Sequence, residues 1–369
     1  MKVTPASIVR DDIQKLSAYQ VQKSDGMIKL DAMENPFGLP DSLKQSISNR
    51  LSEVAVNRYP NPSAPALQAK LRQCMQIPDE AAVMLGNGSD ELLHVMLTAC
   101  ARPNAVVMTP SPGFVMYHMY SLYLGLRFVE FSLDPDFNLD AGKFIETMRE
   151  VNPAVVFIAY PNNPTGNSFR EDDLIAIIRQ APGLVVIDEA YQPFASGTFL
   201  PRVLEFPNLV VLRTLSKLGL AGIRLGYAIG RPDWISQFDK VRSPYNVNSL
   251  TQCYAECVLE NYQVLLEQAE RICVARSDLT RRLKAMSQIS TFHSDANFLT
   301  IRVPDAPGLF NVLKTKGILV KNLHGAHPIL HNCLRVTIGT EQENGAFMDV
   351  VREFLGEPKN GVTESSGVR

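Results

Sequence analysis

Apolar runs of five to seven residues recur through the middle of the chain and alternate with stretches of helical periodicity. The runs are AVVMT (105–109), RFVEF (127–131), AVVFIAY (154–160), LVVID (184–188), LVVLR (209–213) and GYAIG (226–230). Several are apolar at nearly every position, which suits strands covered on both faces. Between them DELLHVMLTACA (90–101), FREDDLIAIIRQ (169–180) and RPDWISQFDKVR (231–242) place apolar residues three and four apart. The alternation predicts an α/β domain built on a mainly parallel sheet.

After about residue 248 the pattern changes. A helical stretch over roughly 250–286 precedes NFLTIRV (297–303), a helix near 308–316, GILVK (317–321) and LRVTI (334–338). Few strands and long helices predict a smaller α+β domain. The first 40 residues show little periodicity and contain the turn-rich ENPFGLPD, as expected of an arm lying on another surface. The organisation expected is an N-terminal arm with a small-domain contribution (1–48), a large domain (49–255), a small C-terminal domain (256–357) and a frayed tail (358–369).

Composition narrows the function classes. Hydrophobic residues make up 46% and charged residues 20%, enough for a large core and unlike a disordered chain. Lys and Arg number 36 against 38 Asp and Glu, so no basic excess suits a nucleic acid. No apolar run approaches the roughly 20 residues that span a bilayer, and the N-terminus lacks a secretory pattern. Six scattered cysteines do not make a disulfide framework; Cys253 and Cys257, four apart, have no second ligand pair for zinc. A reduced, cytoplasmic, soluble protein without a metal is expected.

The candidate chemistry gathers at the ends of the apolar runs, where an open parallel sheet binds ligands. In VMLGNGSDELL (83–93) glycines precede Ser89 and Asp90 at a helix start. Free amides there suit an anion; the alternative is an ordinary cap in which Ser89 or Asp90 accepts the helix's own N–H bonds. AYPNNPTGN (159–167) is a rigid turn that presents Asn163 as an amide donor or serves as structure alone. Asp188, ending VVID, calls for a cationic or N–H partner, and Tyr191 follows three residues later. In RTLSKLGLAGIRLGYAIG (213–230), Lys217 follows Ser216 and precedes Arg224. A lysine near other cations in a partly dry pocket has a lowered pKa and can form a Schiff base, although most lysines simply reach solvent. Jointly, phosphate-binding amides, an Arg, a carboxylate, an Asn donor and a lysine meet the needs of pyridoxal phosphate.

These motifs resemble the fold-type-I, class-II aminotransferases, and most closely the histidinol-phosphate aminotransferase branch. The similarity runs from LSAYQ (16–20) and ENPFG (34–38) through RYPNP (58–62), GNGSDEL, PNNPTG, IDEAY and TLSK to LRVTIGT (334–340). The resemblance implies that Lys217 carries pyridoxal 5'-phosphate and shuttles protons, that Asp188 pairs with the pyridine nitrogen, and that Asn163 and Tyr191 bond the ring oxygen. It assigns Ser89, Asp90, Ser216 and Arg224 to the phosphate, and Phe114 to stacking on the ring. Tyr59 would reach the phosphate in the neighbouring subunit, which implies a homodimer. Arg335 would clamp the carboxylate of glutamate or 2-oxoglutarate, while Tyr19, Glu34 and Asn35 would lie at the substrate and Lys321 at its phosphate. The implied reaction is transamination of L-histidinol phosphate with 2-oxoglutarate. Rivals are a broad aromatic aminotransferase, a threonine-phosphate decarboxylase and a non-enzymatic binding protein on the same fold.

Three features depart from the family's commoner pattern. The Lys217–Arg224 loop is one residue shorter, Lys321 stands where many relatives have arginine, and Phe114 lacks the usual tyrosine hydroxyl. His324, His327 and His331 lie in a segment interrupted by proline and glycine, without a carboxylate among them, and read as a substrate-side loop. His94 and His118 read as core histidines, and the aromatics of YHMYSLY (117–123) as helix packing.

Overall fold

The computed structural model describes residues 3–18 and 22–357. Tyr19 and the tail 358–369 therefore lie outside the described residues. Twelve strands form two sheets among the described residues. They are β1 (Ile28–Leu30), β2 (Ala82–Gly86), β3 (Val106–Ser111), β4 (Arg127–Ser132), β5 (Val155–Ala159) and β6 (Leu184–Asp188). The remainder are β7 (Leu209–Thr214), β8 (Gly226–Gly230), β9 (Ser290–Thr291), β10 (Phe298–Arg302), β11 (Ile318–Asn322) and β12 (Cys333–Thr337).

The larger sheet runs in the order β2-β8-β7-β6-β5-β3-β4. Only β8 is antiparallel to its neighbours, so β2 still points the same way as β7. The all-apolar runs have a simple cause. Alternate residues of β5, β6 and β7 enter two different cores. Val156, Ile158, Val185, Ile187, Leu209 and Val211 join one; Val155, Phe157, Leu184, Val186, Val210 and Leu212 join the other. Each such burial is worth about 1.5–3 kcal/mol, so both faces hold the sheet in register. The chain lays β4 on one side of β3 and β5 on the other, which creates a crevice outside the carboxyl ends of β3 and β5.

The second sheet, β1-β11-β12-β10-β9, is antiparallel except where β1 pairs parallel to β11. The weakly patterned N-terminal segment thus adds a strand, too short at three residues to show a period. From its end, residues 31–35 run between the sheets. Met33 donates its N–H to Thr337 Oγ1 at 3.0 Å, and its carbonyl accepts from Asn297 Nδ2 at 2.9 Å.

The expected helix over 250–286 is two helices, Ser249–Leu259 and Gln263–Lys284. No Gly or Pro marks the break. Asn261 sits in it and donates its side-chain amide to the Cys257 carbonyl at 3.1 Å, a local bond that competes with helix continuation. His94 and His118 also differ from expectation. Both are exposed, each ring laid against an aromatic neighbour, Tyr120 and Phe128 respectively.

Candidate active site

At the carboxyl edge of the larger sheet a cleft is lined by Met33, Ser89, Asp90, Phe114, Asn163, Asp188, Tyr191, Thr214, Ser216, Lys217 and Arg224, with Ala159 and Ala190. Its polar groups form three sets.

The first set suits an anion. The helix Ser89–Cys100 has Gly88, not Ser89 or Asp90, as its N-cap, with no side-chain bond to the first-turn amides. Its first-turn amides, Ser89 and Asp90 among them, therefore keep the donor character that a side-chain cap would have taken up. Gly88 has φ +85°, and a Cβ there would lie 2.7 Å from Arg224 Nη2. One on Gly226 would lie 2.4 Å from the Ser89 nitrogen, so glycines keep this corner open and close-packed. Arg224, itself left-handed at φ 53°, donates from Nη1 to Ser216 Oγ and from Nη2 to Asp90 Oδ2, both at 3.3 Å. The short Lys217–Arg224 loop reaches this geometry through a π-turn at Ser216–Leu220 followed by a 3₁₀ turn at Ala221–Ile223.

The second set surrounds a buried carboxylate. Asp188, 4% exposed at the end of β6, accepts the Tyr117 hydroxyl at Oδ2 (2.7 Å) and the Ala190 N–H at Oδ1 (3.1 Å). Burial outweighs these donors and pushes its carboxyl up to about 6. A cation brought into the cleft would relieve that cost. The N–H partner that the sequence calls for is Ala190, and it is joined by a hydroxyl no motif pointed to.

The third set is Lys217 with Asn163 and Tyr191. Lys217 Nζ donates to the Ala32 carbonyl at 3.1 Å and lies 5.9 Å from the Tyr191 ring centre. Burial, then the nearby Arg335 charge, lowers its ammonium to about 8, against opposing pulls from Glu34 and Asp90. Asn163 Nδ2 donates to the Tyr191 hydroxyl at 3.1 Å, and Asn163 Oδ1 accepts from Arg335 Nη1 at 2.6 Å.

The other residues named from the sequence stand outside the lining. Arg335 is buried behind Asn163 and also donates to the Asp31 carbonyl at 2.8 Å. Lys321 is its cross-strand partner in the β11–β12 register, so both side chains share one face. Glu34 is held by Lys29 at 2.8 Å. The polar atoms of Asn35 are engaged by the Leu218 carbonyl, Gln268 and the Phe37 N–H, which ties the arm to the Lys217 turn. Tyr59 is 81% exposed and stacks on Tyr245 with ring centres 4.6 Å apart. In the histidine segment, His324 Nδ1 meets the Asn332 side chain and backbone, and His327 Nδ1 accepts the Ile329 N–H. Among the described residues no three His, Cys, Asp or Glu side chains converge on a metal position, and no helix is long and apolar enough to cross a membrane.

The donor set has a definite chemical fit. Glycine-cradled amides with an arginine suit a phosphomonoester, the buried carboxylate suits a protonated ring nitrogen, and the lowered lysine suits a carbonyl carbon. The arrangement matches a planar, phosphorylated aromatic aldehyde.

Comparison with known proteins agrees. Residues 25–351 match the family model described as aminotransferase class I and II. Histidinol-phosphate aminotransferase 2 of Cupriavidus pinatubonensis is 51% identical over 353 residues, covering 94% of this chain and 96% of the relative. Histidinol-phosphate aminotransferase of Chromobacterium violaceum is 49% identical over 355 residues, 96% and 100% of the two chains. Among solved structures, histidinol-phosphate aminotransferase of Sinorhizobium meliloti in complex with pyridoxal-5'-phosphate superposes with TM-score 0.82 at 22% identity, covering 94% of this chain and 98% of that one. At that identity the superposition shows the fold alone.

Proposed function

Because the chain belongs to the class I and II aminotransferases, we propose that it transfers the amino group of L-histidinol phosphate to 2-oxoglutarate, with pyridoxal 5'-phosphate held on Lys217. The products are imidazole-acetol phosphate and L-glutamate, a cytoplasmic step of histidine biosynthesis. The observation that carries the reading is the lowered Lys217 amine in one cleft with a buried carboxylate and an arginine-flanked helix start that has no side-chain cap. Relatives of about half identity over nearly the whole chain, named for this activity, support the substrate.

Pyridoxal phosphate supplies an electron sink for charge developing at the substrate Cα. The chain's own groups do the rest. The amides of Ser89 and Asp90, the Ser216 hydroxyl and Arg224 would hold the phosphate. Asn163 and Tyr191 would direct donors at the ring oxygen, Phe114 would cover the ring, and ionised Asp188 would hold the proton on the ring nitrogen. Lys217 Nζ, with its lowered affinity for a proton, would act as the base that takes the proton from the substrate Cα. Arg335 and Lys321, cross-strand partners on one sheet face, would receive the substrate carboxylate and phosphate. Glu34 would close over the imidazole, and Tyr59 would complete the phosphate site of a second subunit in a homodimer. In this arrangement 1–48 would supply the arm and add to the small domain of 256–357, beside the large domain of 49–255.

A half-reaction tests the substrate. The pyridoxal-loaded protein is mixed with histidinol phosphate or phenylalanine, without keto acid, and the cofactor absorbance is followed. Histidinol phosphate is expected to convert the cofactor far faster. Equal or faster conversion by phenylalanine would replace the proposal with a broad aromatic aminotransferase.

A further inference from the structure

Tyr117 belongs to none of the motifs that define the site, yet it makes the shortest hydrogen bond to the site's buried carboxylate. It is the third residue of the helix Val115–Tyr123 and is fully buried. Its ring lies flat on Phe157 of β5, with centres 4.8 Å apart and planes within 8°, and meets the cleft-lining Phe114 edge-on at 5.5 Å. Those contacts fix the ring, and with it the hydroxyl, 2.7 Å from Asp188 Oδ2. A phenol could have been replaced here by phenylalanine without loss of packing. Burying its hydroxyl is favourable only because a partner is present.

We infer that Tyr117 is a positioning residue: it orients the Asp188 carboxylate toward the cleft and keeps it ionised for a cationic ring nitrogen. The inference rests on the pyridoxal-phosphate reading of the site. Among the described residues the carboxylate has two protein donors, one per oxygen, and the Ala190 N–H cannot hold the plane of the group alone. Tyr117 stays a donor throughout the working range, because burial and the adjacent Asp188 charge hold its phenol well above its ordinary value. Charges facing Asp188 from other elements, Asp90 on the helix Ser89–Cys100 and Glu189 beside it in the chain, both push toward protonation. The hydroxyl opposes them. Through its edge contact with Phe114 the same side chain sets the aromatic wall and the carboxylate relative to each other, so two contacts to one ligand depend on one ring.

The test is Tyr117→Phe, which keeps both ring contacts and removes only the donor. Two readouts are made on the apoprotein. The carboxyl titration of Asp188, followed by carbon NMR of labelled aspartate, is expected to move upward. Equilibrium affinity for pyridoxal phosphate is expected to fall ~10-fold or more, the scale of a hydrogen bond to a charged group. In an Asp188→Asn background the same substitution is expected to change affinity little, because the two side chains act as one unit. An equal loss in both backgrounds, or an unmoved titration, overturns the inference and leaves Tyr117 a packing residue. If the titration moves but the unsubstituted apoprotein binds no pyridoxal phosphate, the reading of the site falls and takes the positioning role with it.

Discussion

Replacing Lys217 with methionine is expected to lower transamination by ~10⁴-fold or more while leaving the fold intact, because one side chain supplies both the covalent attachment and the proton transfer. The substitution also has a thermodynamic signature. In the folded protein the ammonium titrates at about 8, below its ordinary lysine value. Below that pH the group is charged in both folded and unfolded chains and bears its full burial cost. As pH rises from about 8 toward the lysine range, the folded chain sheds the proton first, so the cost fades and stability grows. The methionine apoprotein should therefore unfold at a higher temperature than the unsubstituted one near pH 6–7, with the gap closing above about pH 8. Thermal scans across that range check the sign. A gap that widens with pH would mean the lysine is not held in a desolvated site.

The largest expected effect on stability lies one residue from the cleft. Glu189, fully buried, accepts Arg213 at Nε and Nη2, 2.9 and 2.8 Å away, and also the Phe199 N–H and the Thr198 hydroxyl. Arg213 is itself buried in β7. Arg213→Met removes the only cation bonded to this carboxylate among the described residues and should cost about 3–5 kcal/mol, the usual result of orphaning one member of a buried pair. Because Glu189 directly follows Asp188, the loss should also loosen the carboxyl end of β6 and weaken cofactor retention. Denaturant unfolding of the two apoproteins measures the first effect. A difference below about 1 kcal/mol would show that water or a neighbouring donor takes the place of Arg213.

The strands that position the site were legible because their burial on both faces leaves a plain signal. The runs ending in Asp188 and preceding Lys217 are apolar for that reason, and β6 and β8 fall on the expected residues. Other features carry no local signal. β1 is three residues long and is defined by its partner β11, nearly three hundred positions away. The break at Asn261 depends on one side-chain amide choosing a backbone carbonyl. At the helix start near 89 the sequence allows either an anion site or an ordinary cap by Ser89 or Asp90. The structure answers with Gly88, because only a residue without Cβ leaves Arg224 its place. Tyr117 read as packing, and it does pack. Its hydroxyl finds Asp188 across 71 positions of sequence, a pairing that only the fold brings about.

Lys217 is proposed to hold an aldehyde cofactor. The direct test is to load the purified protein with pyridoxal phosphate, reduce it with borohydride so that a carbonyl–amine link becomes a stable secondary amine, and map the product by peptide mass spectrometry. The phosphopyridoxyl group is expected on Lys217 alone. An unmodified Lys217 peptide, or label spread over exposed lysines, would contradict the account.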